Sequence, residues 1–302
     1  MILRRLGQML SVILVVIGVT FVILHLSGDP VRVLLGPEAG ETQVADARRQ
    51  FGFDDPLPAQ LWRHYSRILR GDFGRSWRFR EPALPIVLQR LPATLILTTA
   101  ALAVSIAIAV PLGVAAAARR GSVADSLTIA GALAGQSMPV FWIGILLVLV
   151  FSLTLRILPT SGYGSIRHVV LPGLALGAYS AGRLARLVRA QVLDVLSQDY
   201  VRTAWSKGLR PRVVLYKHAV RAGLLPVITL LGLEFGTLMG GAIVVETIFA
   251  WPGIGLLAVQ SITGRDYPVV LTIVFLMGLT FSLVNLATDL LYTRLDPRIR
   301  EY

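Results

Sequence analysis

Long uncharged runs organise this chain, in place of the short alternations of a soluble globule. Leu6–Gly28, Ala93–Ala118, Ser126–Leu155 and Tyr267–Thr288 contain no Asp, Glu, Lys or Arg. Val169–Val188 admits only Arg183 and Arg186, and Ala222–Val245 only Glu234. A helix crossing a bilayer core of about 30 Å needs roughly 20 apolar residues. The pattern therefore predicts six membrane-spanning helices, of which Val169–Val188 has the weakest signal. Ser126–Leu155 exceeds the required length and is expected to tilt or to extend beyond the bilayer. At its length, and with no small-x-small site before Asp29, Leu6–Gly28 reads as a retained anchor in preference to a cleaved leader.

Orientation follows from the basic residues of the short loops. With Arg4 and Arg5 inside, the inner side also collects Arg119, Arg120, nine basics between Arg183 and Arg221, and Arg294, Arg298 and Arg300. The short outer loops hold only Arg156, Arg167 and Arg265. The long segment 29–92 is largely exempt from the rule. Both termini are expected in the cytoplasm.

Composition narrows the class. Of 302 residues 55% are hydrophobic and 15% charged, with mean hydropathy +0.70, whereas a soluble domain carries about a quarter charged residues. The net charge of +12 would suggest nucleic acid on a soluble chain. Here the positive charge flanks the spans and orients them, so no nucleic-acid partner is expected, and contact with membrane lipid is. The absence of Cys excludes disulfides, thiolate metal sites and cysteine nucleophiles. The only lysines, Lys207 and Lys217, follow Ser206 and Tyr216 and form no Walker-type Gly-Lys pair. His25, His64, His168 and His218 lack metal-ligand spacing, and no Gly-x-Ser-x-Gly elbow occurs. No catalytic residue, metal or cofactor is assigned, and an integral-membrane enzyme is disfavoured. A secondary carrier normally needs more ionisable apparatus in its spans than Glu234 alone. Transport driven by energy from elsewhere fits best.

Within the outer segment, Ala59–Arg70 places Leu61, Tyr65, Ile68 and Leu69 on one helical face and Arg63, Arg67 and Arg70 on another, with Gly71 placed to end the helix. This helix suits either the membrane interface or packing on the body. Pro82, Pro85 and Pro92 read as turns or helix starts. In the spans, Gly232, Gly236 and Gly240 recur every four residues, as do Gly173, Gly177 and Ala181, predicting close helix approach within the subunit or across a dimer. An ionisable residue inside a span is a functional candidate by default. Glu234 is open between a translocation pathway, a protonated structural group and a partner for Arg183. Glu246 and Asp289, at span ends, are expected to be solvated.

The longest inner stretch, about 189–222, has helical punctuation. Ser197 can cap a short helix through Tyr200, Ala204 and Lys207, Gly208 sits where a left-handed stop is wanted, and Pro211 stands in the first turn of a second helix. Such a knob, tethered at both ends, can transmit force from a cytosolic partner. A basic loop lying on anionic lipid is the simpler alternative.

Tyr200-Val-Arg-Thr-Ala-Trp-Ser-Lys-Gly208, with Pro226 after seventeen intervening residues, resembles the cytoplasmic signature loop of ABC-importer permeases. Gly52–Gln60, Gly71–Ser76, Arg90–Thr94, Ser137–Trp142, Leu158–Gly162, Gly240–Glu246 and the closing Asp289–Arg298 are similar, in order, to pieces of the dipeptide/oligopeptide/nickel permeases, specifically their B-type subunit. The resemblance implies an all-α polytopic membrane protein with the type I ABC importer transmembrane fold. Its organisation would be an N-terminal helix and outer segment over 1–91, a transmembrane domain over 92–293, and an inner tail over 294–302. It also implies a homologous second permease, two ATP-binding subunits that hydrolyse the ATP, and an extracytoplasmic solute-binding protein, all at a bacterial inner membrane. Peptides are the implied cargo, with nickel or another small solute such as glutathione as alternatives. The coupling residues would be Tyr200, Arg202, Thr203, Ala204, Trp205, Lys207, Gly208 and Pro226. Arg202 and Thr203 stand where the general pattern has Glu and Ala, and Trp205 offers an apolar anchor.

Overall fold

The computed structural model describes residues 2–26, 31, 39–51 and 53–295. The last two residues of the first predicted span, 27 and 28, and most of the tail 294–302 lie outside them, as do Gly52 and residues 296–298 of the motifs above. The described chain is helical, with a single isolated β-bridge pairing Arg75 and Pro82. The helices are α1 (Ile2–Leu26), α2 (Glu41–Phe51), α3 (Leu57–Leu69), α4 (Ala83–Ala118), α5 (Val123–Ser137) and α6 (Val140–Leu147), which continues as a π turn over Val148–Thr154. Then come α7 (Ile166–Leu196), α8 (Asp199–Ser206) and α9 (Pro211–Val213), widened over Val214–Val220 and closed by Arg221–Gly223. The last three are α10 (Leu225–Ile248), α11 (Ile254–Thr263) and α12 (Tyr267–Leu295).

Among the described residues, α4, α10 and Tyr267–Leu291 of α12 are each long and apolar enough to cross a membrane. The single span expected over Ser126–Leu155 is instead two helices bent by 98°. The cause is local. The Pro139 ring forces Met138 out of the helical region, to φ −81 and ψ 129, and α6 restarts after Pro139. Pro92 does not begin its helix: α4 starts at Ala83 and runs through Pro92 for 36 residues in all. The weakest span becomes the long α7, whose buried face of Gly173, Gly177, Ala181, Ala185 and Val188 is interleaved with arginines.

Two compact units divide the chain. The first comprises 1–92 with 257–282, and the second 93–256 with 283–302. In the first, α3 packs through half-buried Leu61, Tyr65 and Ile68, and the Tyr65 hydroxyl donates to the Leu14 carbonyl of α1 at 2.5 Å. Leu69, assigned to the same face, is 85% exposed, because the helix ends there. Gly71 takes φ +77, the left-handed stop its position predicts. Asp266 is fully buried and collects the Ser76 hydroxyl and the Trp77 and Arg78 amides, which ties the 76–78 turn to the start of α12.

In the second unit, α7 is the central element. Gly177 lets it approach α4 so closely that a Cβ there would lie 2.6 Å from the Ala101 carbonyl oxygen. Gly113 of α4 meets Ala185 in the same way. Lipid supplies no hydrophobic drive between helices, so contacts of this kind carry the packing.

Candidate functional site

The chain between α7 and α10 builds a knob on the end of α7. Ser197 does not cap α8. It closes α7, with its amide bonded to the Asp194 and Leu193 carbonyls, and Gln198 takes the N-cap position without a side-chain bond. A serine at a helix junction can serve either end, and α7 reaches further than the apolar run suggested. The amphipathic α8 buries Val201 and Ala204 in a cluster with Val188, Val192 and Val195 of α7, Val214 and Ala219 of α9, and Val227 of α10. Its other face points away from that cluster. Tyr200 and Trp205 are 44% and 45% exposed, and Arg202, Thr203 and Lys207 are exposed beside them. Arg202 makes a surface ion pair with Asp199 at 3.3 Å.

Gly208 ends α8 with φ +73, and its amide bonds to the Trp205 carbonyl at 2.9 Å. Pro211 opens α9, where its missing amide hydrogen costs nothing. A π-helical stretch over Val214–Val220 turns the chain back towards α7. There, Gly223 sits against the Gln191 carbonyl, where a Cβ would come within 3.2 Å. Pro226 stands in the first turn of α10. The knob is thus clamped at both ends and presents one aromatic and cationic face.

Above it, α7 carries arginines at three-residue steps, and each reaches another helix. The Arg183 guanidinium and the Ser180 hydroxyl both donate to the buried Glu234 carboxylate on α10. Arg186 donates to Gln136 of α5 at 2.6 Å. Arg189 holds Asp125 of α5 through two bonds. Of the readings open for Glu234, the partnership with Arg183 is the one the geometry displays.

The glycine ladder of α10 divides. Gly232 is buried against Thr288 and Asn285 of α12, Gly236 is half-buried, and Gly240 is exposed with open space around its Cα.

Glu246, expected to be solvated, is fully buried. The Thr94 hydroxyl donates to one of its carboxylate oxygens at 2.7 Å and the Leu256 amide to the other at 3.0 Å. The carboxylate thereby caps the first turn of α11, and Gly253 and Gly255 leave the room it needs. Trp251 closes the cluster by donating its indole N–H to the Ala93 carbonyl at 2.9 Å. Asp289 is half-buried. Among the described residues no group of His, Cys, Asp and Glu is placed to hold a metal ion.

A helical, largely apolar subunit with a clamped knob of this sequence is a permease of the ABC importer class. The chain belongs to the family of binding-protein-dependent transport system inner membrane components, whose description matches residues 109–301, with the N-terminal component of that family over residues 1–98. It is 43% identical over 300 residues to the glutathione transport system permease protein GsiC of Salmonella paratyphi A, which covers 99% of this chain and 98% of that protein. The same permease of Escherichia coli K12 is 41% identical over the same shares. Among solved structures, the inward-facing MetNI methionine ABC transporter superposes with a TM-score of 0.60 at 17% identity, over 70% of this chain and 96% of that one. An amino acid ABC transporter gives 0.50 at 21% identity, over 70% and 94%. These two share the fold. The chain is thus a multi-pass inner-membrane permease, a class that works with ATP-binding and substrate-binding partners.

Proposed function

We propose that this permease passes a small peptide of the glutathione or di- and oligopeptide kind, with nickel or another small solute as the alternative cargo. What carries the reading is identity of 41–43% along nearly the whole chain to permeases named for glutathione transport. The complex would comprise this chain, a homologous second permease, two ATP-binding subunits and an extracytoplasmic solute-binding protein. Six crossings with both termini in the cytoplasm agree with the basic residues of the inner loops.

Coupling runs through α8. Tyr200, Trp205 and Lys207 enter a groove of the ATP-binding partner, Arg202 and Thr203 line the contact, and Ala204 anchors the helix to the body. Gly208 sets the angle of the knob, and Pro226 fixes where α10 begins. ATP-driven closure of the partners pushes the knob, and α7 and α10 rock with it, because Gly223 and the Arg183–Glu234 pair tie them together. Glu234 enters the pathway only through Arg183, so a passing solute meets a neutralised pair in place of a bare carboxylate. Gly232 packs α10 within the subunit. Gly236 and Gly240 are left to a neighbouring helix, which the second permease would supply.

The test is uptake of labelled reduced glutathione and of a labelled dipeptide by the complete complex in proteoliposomes. ATP-dependent, binding-protein-dependent uptake of either supports the reading. Uptake that ignores ATP and follows an ion gradient would establish a secondary carrier instead, and ATP-dependent uptake of nickel alone would move the cargo to the alternative.

A further inference from the structure

A cavity of about 740 Å³ opens in the first unit, with an apolar floor and a cationic rim. Phe21 from the last turns of α1, and Tyr267 and Leu271 from the first turns of α12, form the floor, and all three are buried. With α1 and α12 as the first and last of the six crossings proposed above, the cavity lies at the level where one helix leaves the apolar layer and the other enters it. Amphipathic aromatic rings favour that depth, and the Trp77 ring packs there 5.0 Å from that of Tyr267, tilted by 52°.

Four arginines line the rim. Two are neutralised: Arg63 pairs with Asp55, and Arg67 with Asp72 at 2.8 Å. Arg75 and Arg80 have no carboxylate partner among the described residues. They project from a built hairpin. The Ser76 amide bonds to the Glu81 carbonyl at 2.8 Å, and the Arg80 amide to the Ser76 carbonyl at 3.0 Å. The Arg75 guanidinium reaches the Arg80 carbonyl at 3.0 Å. Arg80 itself is held at φ +57, a conformation unfavourable for a residue with a side chain. Beneath, buried Asp266 grips Ser76 and the Trp77 amide. Two cations are thus preset over an apolar floor, in a space far larger than one inorganic anion.

We propose that this cavity is a binding site for the phosphate headgroup of an anionic lipid, Arg75 and Arg80 taking the phosphate and the Phe21–Tyr267–Leu271 floor the first part of an acyl chain. Guanidinium groups match phosphate oxygens in geometry and in charge, and the apolar floor beside them suits an acyl chain, which a free anion lacks. In the orientation proposed above, the lipid belongs to the outer leaflet. The site is independent of the cargo, and it would anchor the 71–82 hairpin to the membrane surface.

The experiment uses the full chain in nanodiscs of phosphatidylcholine containing a minority of photoactivatable phosphatidylglycerol, with crosslinks mapped by mass spectrometry. Crosslinks should fall on residues 63–80 and 267–271. In the Arg75→Gln/Arg80→Gln variant, retention there should drop about thirtyfold. The Arg75→Lys/Arg80→Lys variant, which keeps the charge on the same hairpin, should hold most of the lipid and separate headgroup binding from folding. Inorganic phosphate should compete poorly. Equal labelling in the Gln variant, or crosslinks confined to other segments, would overturn the proposal. So would displacement by inorganic phosphate alone, which would make the site one for a free anion. Displacement by glutathione would give it to the solute.

Discussion

Arg189 and Asp125 are joined by two parallel hydrogen bonds, Nε to Oδ1 at 2.6 Å and the terminal nitrogen to Oδ2 at 2.7 Å, linking α7 to the first turn of α5. The same carboxylate accepts from the Gly121 amide at 2.9 Å and so also pins the turn between α4 and α5. The planar fork of arginine satisfies both oxygens at once, which a lysine ammonium cannot do. Arg189 lies two residues before Gln191, whose carbonyl faces Gly223, so the turn, α7 and the returning end of the knob meet within one short stretch of α7.

Arg189→Lys is therefore expected to lower the thermal midpoint of the detergent-solubilised chain by a few degrees. Asp125→Ala should lower it further, because it strands the arginine and frees the Gly121 amide together. Thermal unfolding of the two variants beside the parent measures the order. A lysine variant as stable as the parent would mean that charge alone, without the fork, holds the contact.

Gly208 has nothing within 4 Å of the position a Cβ would take, yet its φ is +73. Replacement there costs backbone strain and creates no clash. Val at a left-handed position costs about 1–2 kcal/mol, whereas Asn tolerates it. Gly208→Val should lower ATP-dependent uptake by the complete complex about tenfold, with partner ATP binding retained, and Gly208→Asn should restore most of it. Equal uptake by the Val variant and the parent would remove the coupling role.

The ladder of α10 separates two kinds of glycine. At Gly232 a Cβ would meet Thr288 Oγ1 at 2.6 Å and its Cβ at 2.9 Å, and a χ1 rotation of Thr288 moves the hydroxyl but leaves the Cβ contact in place. Gly232→Ala should destabilise the isolated subunit by about 1–3 kcal/mol through overpacking. Gly240→Ala meets nothing within 4 Å and should leave the subunit unchanged or slightly firmer. Thermal unfolding distinguishes them. Loss of co-purified second permease from the Gly240→Leu complex would identify the exposed rung as an intersubunit contact.

The knob was legible because its signals are local. Gly208 and Pro211 stop and start helices by their own backbone restrictions. Pro139 was an equally local signal of a kink, but the long uncharged run around it read as one span where the chain makes two helices bent by 98°. Glu246 and Asp266 were illegible for the opposite reason. Thr94 is 152 positions from Glu246, and Ser76 is 190 from Asp266. A carboxylate at the end of an apolar run looks solvated until the fold brings a hydroxyl and free amides to it. The only local hint was Gly253-Ile-Gly255, two small residues where a close backbone approach would need them. The arginines of α7 show the same limit: their three-residue spacing was visible, but which helix each reaches depends on tertiary packing.

Asp72 gives the outer unit a pH signature. The Arg67 guanidinium bonds to its carboxylate, the Gly74 amide adds a second bond, and together they hold its pKa below the ordinary carboxylate value. A carboxylate with a depressed folded-state pKa contributes stability above its unfolded value of about 3.9, and loses it as pH falls through the lower, folded value. The pair is half-exposed, so solvent screening keeps the effect small. The difference in thermal midpoint between the parent and Asp72→Asn should be flat from neutral pH down to about 5 and shrink towards zero below about 4. Raised salt should reduce the part of it that comes from Arg67. A difference that persists unchanged to the lowest pH would show that the asparagine is disturbing the turn at Gly74, and that the ion pair adds nothing.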